Sequence, residues 1–307
     1  MRFAVPWVVL TSASAASIVL AAAAVRSEDP LADRVAALTR DFRGTVSLYA
    51  RNLDTGHEFG LAADRRVRTA STIKLPIFCA LAAEVAAGRA RWDETLTYRE
   101  GDRVSGSGVL QELSPGTALT VRDLAVLMIV VSDNAATNLI LDRITTDRVN
   151  DYLASAGFSE TRSLRKIRGD GPSLVDAAGW SRAGRDERNA GFGIGVSTPR
   201  EMVRLLQMLE DGAVVSTEAS VEILRVLERQ QYKDGIGRRA APLRVASKGG
   251  ALDALRSDVG IVYAPGGRVA MAITVDDMPD VDYSPENAGN RLIWEISRTL
   301  IEALAPR

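Results

Sequence analysis

Two periods of apolar and polar residues run along this chain, and the switch between them separates its regions. Over residues 31–42 apolar side chains fall at 31, 35, 38 and 42, the spacing of one helix face. Over 44–51 the period shortens to two. Val46, Leu48 and Ala50 share a face, and Asp54-Thr55-Gly56 turns the chain into 57–61, which predicts a β-hairpin. Residues 72–87 are helical and strongly apolar, and Gly88 ends them. Residues 121–131 and 134–144 predict a helical region interrupted at Ser132-Asp133. Another helix follows over 146–156, with Gly157 as its stop.

Residues 160–195 lose both periods. They are rich in Gly and Arg and read as a long surface loop, a length usually tied to function or mobility. Helical spacing returns over 199–209, where Ser197-Thr198-Pro199-Arg200-Glu201 is a helix start, and over 221–230. The period then becomes β-like over 244–247, 258–263 and 268–275, with Ala264-Pro265-Gly266-Gly267 as a hairpin turn, before a helix over 286–304. Strands at both ends with helices between predict one sheet assembled from the two termini, with a helical domain inserted. In residue terms, 29–68 with 213–307 form an α/β (α+β) domain, and 69–212 form a helical domain carrying the 160–195 loop. No repeat is present.

The start of the chain has a different character. Arg2 precedes an uncharged stretch, residues 3–25, rich in Ala, Val, Ser and Leu, and Ala22-Ala23-Ala24 offers small residues for cleavage. Residues 1–25 therefore read as a secretory signal, with the mature chain beginning near 25–29 and exported to the periplasm or medium. An uncleaved anchor is the competing reading.

Composition narrows the chemistry. The 307 residues carry a net charge of -1, so no overall field draws nucleic acid. One cysteine, Cys79, and one histidine, His57, exclude an internal disulfide and Cys/His zinc sites; no metal or cofactor is expected. The basic residues are 34 arginines and four lysines: Lys74, Lys166, Lys233 and Lys248. Only lysine readily becomes a neutral amine, so each one is a candidate base. Ser71-Thr72-Ile73-Lys74 opens the apolar helix, and its i, i+3 spacing puts hydroxyl and amine side by side. The helix start also offers free amides for an oxyanion. Ser163-Leu164-Arg165-Lys166 matches the same pattern but falls in the loop, where a cap and a solvated lysine suffice. Ser132-Asp133-Asn134 sets polar side chains inside an apolar stretch, either for a site or as a buried capping turn. Lys248-Gly249-Gly250 follows a strand, where glycines admit a ligand or a second backbone.

In order and flanking sequence, these three segments resemble the S-x-x-K, S-D-N and K-T-G motifs of class A serine β-lactamases and penicillin-binding proteins. Gly106-Ser107-Gly108-Val109-Leu110 and Ser197-Thr198-Pro199-Arg200 are similar as well, and the resemblance spans about residues 30–305. It implies the β-lactamase/transpeptidase-like fold, an antiparallel sheet flanked by helices with an inserted helical domain. It also implies Ser71 as the acylated nucleophile and Lys74 as its base or relay. Ser132 would pass a proton to the leaving nitrogen. Asn134 would position substrate with Gly249, Gly250 and Ala251, and Lys248 would supply positive charge. The oxyanion hole would be the amides of Ser71 and Ala251. The implied partner is a β-lactam or a peptidoglycan-derived substrate, acting on a monomer.

Two departures qualify this. The family's Glu-x-x-Leu-Asn segment, whose glutamate activates the hydrolytic water, has no counterpart here; Asp170 is the nearest candidate, ahead of Asp176 and Glu187. Gly249 and Ala251 also replace hydroxyl residues that would hold a substrate carboxylate, which leaves Arg256 as a possible substitute. Acylation with weak deacylation is the expectation. A D,D-peptidase or esterase acting on cell walls, or a binding protein without turnover, are the alternatives.

Overall fold

The computed structural model describes residues 1, 30–169, 178–238 and 240–306. Residues 2–25 of the expected signal stretch, Asp170 and Asp176 lie outside these residues. The strands are β1 (Thr45–Asn52), β2 (Glu58–Leu61), β3 (Val67–Arg68), β4 (Thr95–Thr97), β5 (Ala118–Thr120), β6 (Arg162–Ser163), β7 (Gly195–Ser197), β8 (Arg244–Leu252), β9 (Leu255–Ala264) and β10 (Gly267–Asp276). The helices are α1 (Pro30–Thr39), α2 (Lys74–Ala86), α3 (Val121–Val130), α4 (Asn134–Ile144), α5 (Thr146–Ser155), α6 (Pro199–Glu210), α7 (Thr217–Glu228) and α8 (Ala288–Leu304).

Five strands form one antiparallel sheet in the order β2-β1-β10-β9-β8, so the two ends of the chain meet in its middle, with Leu48 opposite Ile273. Both faces of the sheet are covered. Leu48, Ile273 and Val275 pack with Leu31, Val35, Ile296 and Leu300 of α1 and α8. Tyr49, Val259, Ile261 and Ala272 face the helices between, including Leu205 and Leu206 of α6. With both faces covered, β9 is buried along nearly its whole length, and its second half, 259–264, lacks charged residues.

The turn structure extends the sequence reading. β8 does not end at Ser247 but continues through Lys248, Gly249 and Gly250 to Leu252, and a tight turn at Asp253-Ala254 returns it as β9. The 160–195 segment is not wholly irregular. β6 and β7 pair within it, and β7 also holds β3 just ahead of the nucleophile. α6, inside the stretch assigned to the helical domain, lies against β1 and β10.

α2 is the central helix. Leu75, Ile77, Phe78, Cys79 and Leu81 are all buried, so it has no polar face to show. Its first residue, Lys74, is buried with them, and this strongly apolar surround sets the chemistry of the site.

Candidate active site

Ser71 sits in a single 3-10 turn, Ala70–Ile73, that runs directly into α2. Ala70 adopts φ +45, a left-handed conformation that costs a non-glycine residue energy and bends the chain sharply at the serine. Neighbouring bonds hold the turn: Thr69 donates its N–H to Gly195 of β7 at 3.1 Å, and the Thr72 hydroxyl donates to the Thr69 carbonyl at 2.8 Å. The Ser71 side chain faces a cleft of about 680 Å³.

Lys74 is fully buried at 0 % exposure, and its Nζ donates to the Ser132 carbonyl at 2.6 Å, the Asn134 Oδ1 at 2.9 Å and the Ser132 Oγ at 3.2 Å. Lys248, also at 0 %, donates to that same Ser132 Oγ at 3.0 Å and to the Gly249 carbonyl at 2.6 Å. One serine oxygen thus lies between two buried amines. Burial holds Lys74 well below the usual amine range, and the positive charge of Lys248 adds to the effect. Burial pushes Lys248 down to about 7, against the opposing pull of Asp258.

The Ser132-Asp133-Asn134 break is both things the sequence allowed. Asp133 is the capping turn: Oδ1 accepts from Ala136 N at 2.9 Å, and Oδ2 from Val109 N and Leu110 N at 2.7 Å each. Ser132, at φ +53, and Asn134 face the cleft. Asn134 also donates to the Ser105 carbonyl at 2.9 Å. Gly108 explains the glycine in Gly106-Ser107-Gly108, because a Cβ there would overlap the Asp133 carboxyl. Gly250 is constrained similarly. A Cβ there would lie 2.9 Å from the Ser71 amide nitrogen, so β8 approaches the nucleophile backbone to backbone. At Gly249 an added Cβ meets nothing within 4 Å.

The structure therefore brings Ser71, Ser132, Asn134, Gly249, Gly250, Ala251 and Arg256 to one cleft, with Lys74 and Lys248 beneath Ser132. Arg256 is spoken for. Its NH1 donates to the Leu252 and Leu255 carbonyls at 2.5 and 2.6 Å, and its NH2 donates to the Asp282 carbonyl. The second Ser-x-x-Lys match stays apart, with Lys166 paired to Asp142 at 2.6 Å. Glu187 is exposed on the loop, and His57 is exposed ahead of β2. Among the described residues, no group of three or more His, Cys, Asp or Glu could hold a metal, and no helix is long and apolar enough to cross a membrane.

Two features escaped the sequence reading. Asn138, buried in α4, clamps the backbone of Ile167: its Nδ2 donates to the Ile167 carbonyl and its Oδ1 accepts from the Ile167 N–H, both at 2.8 Å. The described loop residues that line the cleft are then Arg165, Ile167, Arg168, Gly169, Gly193 and Ile194. A buried Asn one turn after Asn134 on an apolar helix was the available signal. Asp258 lies in the cleft wall on β9, and burial pushes its carboxyl up to about 7.

The model of the beta-lactamase enzyme family matches residues 30–304. Beta-lactamase 3 of Bacillus cereus is 26% identical over 275 residues, spanning 88% of this chain and 80% of that protein. A beta-lactamase of Rhodobacter capsulatus is 25% identical over 274 residues, 88% of each. Among solved structures, a beta-lactamase from Sphaerobacter thermophilus has a TM-score of 0.76 and 33% identity, covering 89% of this chain and 96% of that one. A mutant of PBP-A, solved as an acyl-enzyme complex with penicillin G, has a TM-score of 0.73 and 26% identity over 89% of this chain and 95% of that one.

Proposed function

The chain belongs to the beta-lactamase enzyme family of β-lactam-acting serine hydrolases, and we propose that it is an exported enzyme acylated at Ser71 by β-lactams or related cell-wall amides and slow to release the acyl group. The observation that carries this is the placing of one hydroxyl, Ser132 Oγ, between the Nζ atoms of Lys74 and Lys248. A neutral Lys74 takes the Ser71 proton as Oγ attacks the substrate carbonyl carbon. The amides of Ser71 and Ala251 stabilise the oxyanion. When the C–N bond breaks, Ser132 gives its proton to the leaving nitrogen and regains one from the lysine side. Lys248 keeps that relay polarised and disfavours a second charge on Lys74.

Release of the acyl-enzyme needs a base on a water. Among the described residues of the loop that line the cleft, none carries a carboxylate. The same site could serve a D,D-peptidase or esterase acting on cell walls; the missing hydroxyls at Gly249 and Ala251 weaken carboxylate binding for a penicillin and for a peptide ending in a carboxylate alike.

Intact-mass measurement of the purified chain with a penicillin tests the proposal. The expected result is a persistent adduct on wild type, with none on Ser71→Ala. Rapid turnover without a stable adduct overturns slow release, and no adduct with no turnover overturns acylation.

A further inference from the structure

The cleft continues past Ser132 to an end built by the β8–β9 hairpin, and this end is rich in acceptors. Gly249 pairs with Asp258 and Ala251 with Arg256, so these four positions share one face of the hairpin. The edge strand contributes no side-chain donor there, and it leaves open space at Gly249. Asp258 is 3 % exposed; its Oδ2 accepts from Ile236 N at 2.8 Å, while its buried Oδ1 has no partner among the described residues. Asp253 at the hairpin tip is exposed and accepts from the Tyr283 hydroxyl at 2.8 Å, and Asp234 lines the same wall. Against these carboxyls stand two cations: Lys248, whose Nζ donates to Ser132 Oγ and the Gly249 carbonyl, and Arg256, both of whose NH1 hydrogens are committed to backbone carbonyls. Its guanidinium is also covered by the Tyr283 ring, 4.7 Å away. A free carboxylate arriving here meets like charges and few donors. A donor meets the exposed Asp253 carboxylate at the rim, with the unpaired Asp258 Oδ1 buried in the wall behind it.

We propose that this end of the cleft is a subsite for a hydrogen-bond-donating group, a primary amide or an ammonium, so that Ser71 reacts fastest with acyl donors carrying such a group in place of a free carboxylate. The proposal rests on acylation of Ser71 and adds the class of substrate. Gly249 and Ala251 then make sense as a pair, since the hydroxyls missing from both are those that would favour an anion.

The test is the second-order rate of adduct formation, read by intact mass, for benzylpenicillin and for its primary amide. The amide is expected to react about tenfold faster or more, the size of one charge-assisted hydrogen bond. Asp253→Asn and Asp258→Asn should each bring the amide-to-acid ratio towards one, and Gly249→Thr should shift it towards the acid. The ratio is internal to each protein, so a general loss of activity cancels, and Asp253 is exposed enough that its replacement leaves the fold intact. A wild-type acid rate equal to or above the amide rate overturns the proposal while leaving acylation standing, as does a ratio that neither Asp variant moves. If neither compound labels Ser71, acylation itself fails and this subsite falls with it.

Discussion

The floor of the cleft and its loop wall are built on opposite terms. On the floor, three acceptors surround Lys74, two lysines share the Ser132 hydroxyl, and Asp133 satisfies three backbone amides. Each group is buried, and each is fixed by partners from a different element. At the wall, the 165–169 segment is held at Ile167 by Asn138 and presents Ile167 between two arginines. The floor has the parts that the proposed acylation uses. The wall holds its backbone by the Asn138 clamp, and among the described loop residues that line the cleft it presents no carboxylate. Position and chemistry are thus separable: the clamp fixes where Ile167 sits without deciding what its side chain can do.

The largest effect should come from the floor. Lys74→Ala removes the buried amine proposed to take the Ser71 proton, and acylation by a penicillin should slow by ~10²–10⁴-fold. A stopped-flow or mass-based rate close to wild type would show that the floor does not work through Lys74. Next in size is a change that gives the wall what the floor already has. Ile167→Glu sets a carboxylate on a backbone already clamped by Asn138, and release of the acyl group should speed up by about 10²-fold. Pulse-labelling followed by decay of the adduct mass measures it; an unchanged decay would mean that Ile167 does not face the acyl carbon. Asn138→Ala sharpens the contrast from the other side. It removes both bonds to Ile167, at ~1–3 kcal/mol for each buried partner left unmade. It should therefore erase most of the gain in an Ile167→Glu background while altering acylation by only a few fold.

The residues that meet on the floor could be picked out of the sequence because they lie in short, contiguous patterns. Ser71 and Lys74 are one helical turn apart, Ser132 and Asn134 flank a helix break, and Lys248 sits beside glycines that close packing demands. The sheet built from both termini was legible for the same reason: period two appears only near the two ends. The wall was not legible. The bond that fixes Ile167 spans 29 residues, and nothing local to the loop marks its partner. The length of β8 was missed because Gly249-Gly250 reads as a strand end, whereas here the glycines let the strand pass against the Ser71 turn. The role given to Arg256 met the same limit. A guanidinium in sequence range of the site is visible, but its commitment to three carbonyls is not.

The smallest effect probes a cost built into the cleft's far end. Burial pushes the Asp258 carboxyl up to about 7, from an ordinary value near 4 in the unfolded chain. The folded state therefore holds a proton that the unfolded state has lost. Stability contributed at this position falls as pH rises from about 4 towards about 7, and the penalty is complete above that. Lys248 has the mirror-image effect. Pushed down to about 7 by burial, it costs stability progressively as pH falls from about 10 to about 7. An amide at 258 is neutral at every pH and can still accept from Ile236 N. Asp258→Asn should accordingly raise Tm by a few degrees near pH 8 and leave it nearly unchanged near pH 4, where the folded carboxyl is protonated and the unfolded one has begun to take up its proton. A thermal melt series across that range decides it. An increase of equal size at both ends would trace the effect to packing, and a decrease near pH 8 would mean that the ionised carboxylate is paired with Lys248 strongly enough to outweigh its burial.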